Sequence, residues 1–159
     1  MPEVFANTTP LQYLHRLGRL EWLRDFYGRI TVPEAVAAEL DAGRQLGASV
    51  PDVRSISWIE MRAVPQAGDA FPIFIHRGEA AVMTLARLSG DALILMDDGL
   101  ARTHARGLGL RLTGTLGVIL RAKREGLLPS VEPMLRQLQS EGFRIAPATF
   151  AEVLRLAGE

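Results

Sequence analysis

The apolar positions of this chain follow two alternating periods. Short runs of bulky or β-branched residues are separated by stretches in which apolar side chains recur every three or four residues, as they do on one face of a helix. Val4 to Ala6 is the first short run and predicts a strand. Thr9-Pro10 then has the form of a helix N-cap and first-turn proline. Leu11, Leu14 and Leu17 make a helical stripe that Gly18 interrupts. Leu20 to Phe26 predicts a second helix, stopped by Gly28, and the β-branched Ile30 to Val32 a second strand. A helix from Pro33 to about Ala42 follows, with Gly43 as its C-terminal stop.

Residues 44–57 are rich in Gly, Ser, Pro and Asp and predict no regular element. Trp58 to Val64 alternates apolar and polar, the pattern of a half-exposed strand, and Pro65 to Asp69 reads as a loop. Glu79 to Leu88 is a strong helix with Val82, Leu85 and Ala86 on one face, and Ser89-Gly90-Asp91 turns the chain. Ala92 to Met96 is continuously apolar, as a central strand covered on both faces would be. Asp97-Asp98 ends it. A helix to about Gly107, a strand from Leu110 to Thr113, and helices over Gly114 to Glu125, Val131 to Ser140 and Ala148 to Leu156 complete the pattern. This alternation predicts an α/β fold with a mainly parallel sheet and helices on both faces. No repeat, low-complexity tract or linker interrupts it. The expectation is one domain over 1–159, with about 129–159 as a C-terminal helical appendage punctuated by Pro129-Ser130 and Ala146-Pro147.

Composition narrows the chemistry. The 18 basic and 18 acidic residues balance, so no whole-molecule field draws the protein to nucleic acid or membrane, and any nucleic-acid binding must come from a local patch. There is no cysteine, which excludes disulfides, thiolate metal sites and cysteine nucleophiles and fits a cytoplasmic protein. No signal peptide is expected at Met1 to Asn7, and no uncharged apolar run approaches the roughly 20 residues that span a bilayer. All basic residues but Lys123 are Arg. That bias suits bidentate phosphate contacts and also follows from base composition alone.

Ligands of open parallel sheets bind beyond the carboxyl ends of the strands. Asn7 follows the first strand there, and Asp97 and Asp98 follow the continuous apolar run. Glu39 and Glu79 lie on predicted helices. Carboxylate and amide oxygens are hard ligands suited to Mg²⁺ or Mn²⁺, whereas three scattered His and no Cys argue against zinc. Each residue also has a structural use. Asp97 or Asp98 would cap the next helix, Glu79 would complement the positive end of its own, Glu39 would be solvated, and Asn7 would serve a turn. From Gly99 to Arg124 there is no acid, while Arg102, Arg106, Arg111, Arg121, Lys123 and Arg124 fall in that stretch. Arg102 and Arg106 share a helix face just after the Asp pair, a candidate phosphate-binding patch or a solvated surface. No Gly-rich phosphate loop and no Gly-x-Ser-x-Gly motif supports an unrelated nucleotide-binding or α/β-hydrolase domain.

Several stretches resemble PIN-domain proteins. Phe5-Ala6-Asn7-Thr8-Thr9-Pro10-Leu11 is similar to the family's first strand and turn, Val32 to Leu40 to the helix carrying its second acid, and Leu93 to Leu100 to its late strand and terminal acids. Arg77-Gly78-Glu79-Ala80-Ala81 and Thr113-Gly114-Thr115-Leu116-Gly117-Val118 resemble motifs of one bacterial PIN-like branch, related to the VapC-type toxins. The resemblance implies a three-layer α/β/α fold and Mg²⁺- or Mn²⁺-dependent hydrolysis of RNA. It assigns Asn7, Glu39, Glu79, Asp97 and Asp98 to the metal and catalytic site; in such a site Thr8 would hold phosphate or cap the helix, and the nearby Arg102 and Arg106 are the candidates for substrate phosphate. Asn7 departs from the Asp that many PIN nucleases carry, which removes one ligand charge. The alternative is therefore a catalytically weak or inactive PIN-like module that binds RNA or protein. The resemblance also implies a toxin role with a small antitoxin partner, and a homodimer. Leu14, Leu17, Trp22, Leu23 and Phe26 offer apolar surface for that dimer or, alternatively, belong to the core.

Overall fold

The computed structural model describes residues 2–65 and 70–159. In chain order the elements are β1 (Glu3–Ala6), α1 (Thr8–Arg16), α2 (Glu21–Tyr27), β2 (Ile30–Pro33), α3 (Glu34–Gln45), a 3-10 turn (Val53–Ser55), β3 (Ile59–Arg62), α4 (Arg77–Ser89), β4 (Ala92–Leu95), α5 (Gly99–Gly107), β5 (Arg111–Thr113), α6 (Thr115–Arg124), α7 (Glu132–Ser140) and α8 (Pro147–Leu156). The five strands form one sheet in the order β3-β2-β1-β4-β5, and every pair is parallel. The fold is α/β/α, as the alternation of periods predicts.

Burial explains which runs became inner strands. Phe5, Ile30, Ile94 and Leu95 are fully enclosed, and β1 and β4 show no polar alternation because helices cover both faces. The outer strands β3 and β5 are short, half-exposed and carry Glu60, Arg62 and Arg111, charges that discourage edge-to-edge pairing. Helix α4 lies across β1, β2 and β4. α2 rests on β2 and α6, α5 and α6 pack on β5, and α8 closes on α6. Glu159 ties the appendage together by accepting from the Ser130 hydroxyl and the Val131 N–H and pairing with Lys123.

The strand order sets the position of the site. The chain steps outward from β1 to β2 and β3, then α4 carries it back across the sheet to β4 on the other side of β1. Connections leaving the carboxyl ends of β1 and β4 thus depart in opposite directions and open a crevice between them. Register brings the two ends level, since Ala6 lies opposite Leu95 and the Asn7 N–H donates to the Leu95 carbonyl at 2.9 Å.

Several local expectations are corrected. The first helix begins at Thr8 with Asn7 as its N-cap, not at a Thr9 cap. Pro10 still falls in the first turn, where its missing N–H costs nothing. Helix α3 runs through Gly43 to Gln45, because the buried Val36, Ala37 and Leu40 anchor it beyond a glycine. The left-handed residue is Gly47, at φ +87°. Leu14, Leu17, Trp22, Leu23 and Phe26 are all buried, in agreement with the reading that places them in the core. The loop expected over Pro65 to Asp69 lies, apart from Pro65, outside the described residues.

The two glycines make opposite predictions. Gly43 is helical, and a Cβ there would meet only ordinary contacts at 3.8 Å. Gly43→Ala should therefore stabilise the protein by up to about 1 kcal/mol. Gly47→Ala should destabilise it by about 1–2 kcal/mol, since an L side chain resists that φ. Urea denaturation of both variants checks the helix end.

Candidate functional site

Asn7 and Glu79 form the buried floor of the crevice, each less than a tenth exposed, whereas Glu39 and Asp98 are exposed at its rim. The packing between them depends on Gly78. A Cβ at Gly78 would stand 2.6 Å from Glu39 Oε1 and 3.2 Å from Asn7 Oδ1. Only a bare Cα lets the first turn of α4 press against both oxygens. The positive end of α4 thereby faces the Glu39 carboxylate. Thr8, the first residue of α1, donates its hydroxyl to Glu39 Oε2 at 2.5 Å. Expected as a phosphate contact, Thr8 is here a partner of the acid.

Glu79 sits one residue further along α4 and accepts the His76 N–H at 3.0 Å. Burial raises its carboxyl above the ordinary carboxylate value. The His76 N–H opposes that rise, and the negative charges of Asp98 and Glu39 add to it. Asp98 also caps α5, its Oδ2 accepting the Ala101 N–H at 2.9 Å. Among the described residues no salt bridge to Lys or Arg neutralises Glu39, Glu79 or Asp98, whereas most other acids are ion-paired at the surface.

Asp97 has a different environment from its neighbour. Its Oδ1 accepts the Thr115 N–H at 2.8 Å and its Oδ2 the Thr115 hydroxyl at 2.7 Å, so both oxygens bind the start of α6. Gly114 permits this approach, since a Cβ there would be 2.6 Å from Asp97 Oδ1 and 2.9 Å from Arg102 Nη1. Burial raises the Asp97 carboxyl, against the pull of the two Thr115 bonds and of the Arg102 charge. Arg102 donates Nη1 to the Met96 carbonyl at 2.7 Å. Burial lowers the Arg102 guanidinium, as does the neighbouring Arg106 charge, and Asp97 offsets part of this.

The PIN-domain family DUF3368 matches residues 3–159. The chain is a PIN-domain protein. No curated protein matches it.

Within this PIN domain the predicted basic stretch does not form one free patch. Arg111 pairs with Asp91, Arg121 with Glu125, and Lys123 with Glu159, while the Arg121 guanidinium also lies over the Phe26 and Tyr27 rings. Arg102 is half-buried beside Asp97, and Arg106 is exposed on α5. Among the described residues no three His, Asp or Glu side chains are gathered into a metal-ligand group. The donor chemistry nevertheless fits a hard cation: the oxygens of Asn7, Glu39, Glu79 and Asp98, with no soft ligand among them.

Sequence reasoning missed His76, Thr115 and the steric roles of Gly78 and Gly114. The spacing of His76 and Glu79, N-cap to third helical residue, was a readable signal for the first. Nothing local pointed from Asp97 to Thr115, 18 positions away.

Two predictions follow from the burial and crowding of Glu79 and Gly78. A raised carboxyl value means that the folded chain keeps a proton the unfolded chain releases above about pH 4.5, so stability is lost as pH rises through the higher folded value. Glu79→Gln keeps the acceptor for His76 and removes this loss. It should melt above wild type at pH 7, and the gap should close as pH falls below 4.5. Gly78→Ala should shift stability by no more than about 1 kcal/mol, since the gained helix propensity offsets local crowding. Its Cβ should displace the Glu39 carboxylate from the first turn of α4, which a crystal structure of the variant would show.

Proposed function

We propose that this PIN domain hydrolyses RNA phosphodiester bonds with Mg²⁺ or Mn²⁺ held among Asn7, Glu39, Glu79 and Asp98. The observation that carries this reading is the close approach of α4 at Gly78 to the Glu39 and Asn7 oxygens, beside a buried Glu79 whose carboxyl is raised by burial and, to a lesser degree, by the charges of Asp98 and Glu39. Acidic oxygens placed near one another cost stability in the free protein, and a divalent cation offsets that cost. When bound, the cation lowers the pKa of a coordinated water and neutralises charge building on the phosphate oxygens. The chain's own residues supply the rest. Thr8 holds Glu39 in place, the Leu95 carbonyl fixes Asn7 through its N–H, and Asn7 Oδ1 orients water or cation without adding charge. Asp97 is a positioning residue, holding the end of β4 to the start of α6.

A second reading has its own support. Asn7 is neutral and Asp97 has both oxygens committed to Thr115, so the site has less negative charge than five acidic positions would give. In that reading the protein binds RNA and cleaves it slowly or not at all.

Asn7→Asp separates the two. Restoring one charge should tighten Mn²⁺ binding about tenfold, the equivalent of about 1.4 kcal/mol, and should raise RNA cleavage. Glu39→Gln should weaken both. Calorimetric Mn²⁺ titration alongside a cleavage assay provides the check. If neither substitution moves Mn²⁺ affinity, the crevice is not a cation site and the binding-module reading stands.

A further inference from the structure

On the far side of the Asp97-Asp98 turn from the carboxylates lies a second concavity, of about 500 Å³. One wall is Leu112 to Gly114 with Leu116 and Gly117 of α6, and the other is the segment Phe143 to Ala146 with Thr149 of α8. The sheet and the C-terminal appendage therefore build it jointly, and neither encloses it alone. The volume is in the range of small-molecule sites, about 300–1,000 Å³.

Its lining combines two chemistries. Leu112, Leu116, Phe143 and Ile145 are partly buried against the core, so each leaves apolar surface toward the cleft. The Phe143 ring is braced edge-on by Tyr13, with centroids 5.0 Å apart. The charged members are Arg102, Arg144 and Asp97. Asp97 already has both oxygens bound by Thr115, which leaves two guanidinium groups against one satisfied carboxylate. Arg144 is exposed and has no ion pair or hydrogen bond among the described residues, unlike most arginines of the chain. Apolar walls with unpaired guanidinium at the rim suit a flat base carrying a phosphate. Asp97 borders the cleft and is followed in the chain by Asp98, so the cleft adjoins the turn that carries the crevice's rim.

We propose that this cleft is a nucleotide subsite for single-stranded RNA, with Arg144 on the phosphate and Leu116 and Phe143 against the base. The proposal rests on RNA being the substrate. Binding of a labelled single-stranded RNA oligonucleotide, followed by fluorescence anisotropy in EDTA, tests it apart from catalysis. Arg144 and Thr149 are both exposed, so Arg144→Ala and Thr149→Glu should keep the fold, which circular dichroism melts verify. Arg144→Ala should weaken binding several-fold and flatten the slope of log affinity against log salt by about 0.7, the contribution of one phosphate contact on a single strand. Thr149→Glu, which places an anion in the cleft, should weaken binding further. Wild-type protein that binds no RNA in EDTA, or variants that keep wild-type affinity and slope, would overturn the subsite. Parallel cleavage assays with Mn²⁺ distinguish the two failures. Cleaving variants with unchanged KM overturn the subsite and leave the nuclease reading intact. Variants that lose RNA binding in a protein that never cleaves sustain the subsite and overturn the nuclease reading.

Discussion

The parallel pairing of β1 with β4 is the constraint on which the rest of this structure depends. Four residues of each strand run in register, from Glu3 opposite Ala92 to Ala6 opposite Leu95. The strands are not neighbours in sequence, and the chain reverses its direction across the sheet between them. Two consequences follow from one set of backbone bonds. The strand ends are level, so Asn7 and the Asp97-Asp98 turn emerge side by side. The connections leave in opposite directions, so nothing from the main chain fills the space beyond them. Phe5, Ile94, Leu95 and Met96, all fully buried, hold this pairing at the centre of the core.

Around that crevice the helices are placed for close approach rather than for comfort. Helix α4 could pack on β1 and β4 with many residues at its second position, but only glycine brings its first turn against Glu39 and Asn7. The result is a buried carboxyl at Glu79 influenced by two exposed ones, with the His76 charge acting against them and, among the described residues, no Lys or Arg salt bridge to any of the three. Elsewhere most acids of the described chain pair with arginine on the surface, where such pairs add little stability and mainly balance charge. The contrast between a balanced surface and an unbalanced crevice is what gives the site chemical meaning.

Asp97 and Asp98 show how one residue's step along a chain separates two roles. Asp98 turns outward, caps α5 and adds charge beside Glu79. Asp97 turns the other way and binds the main chain and hydroxyl of Thr115, tying β4 to α6. Through α6 it is also linked to α8 and to the cleft that the appendage walls. The Thr-Gly-Thr and Gly-Glu-Ala stretches thus have a common physical basis: in each, a glycine lets a helix start within contact distance of a carboxylate.

The alternation of apolar periods was enough to determine the α/β class and the approximate place of the strands, because burial of one face leaves a local imprint. It also placed Asn7 and the Asp pair at strand ends and put Glu39 and Glu79 on helices. The ends of α1 and α3 were less legible. There, tertiary contacts of Thr8 and of the buried face of α3 outweighed local preferences at Thr9 and Gly43. The orientation of the Asp pair, and the pairing of Arg111 with Asp91 and of Lys123 with Glu159, were not legible at all. Each depends on a partner brought near only by the sheet order or helix packing. Sequence by itself determined which residues could carry charge at the crevice. Only the tertiary structure decided which of them face one another, because contact between carboxylates on separate elements depends on three-dimensional packing and leaves no periodic trace along the chain.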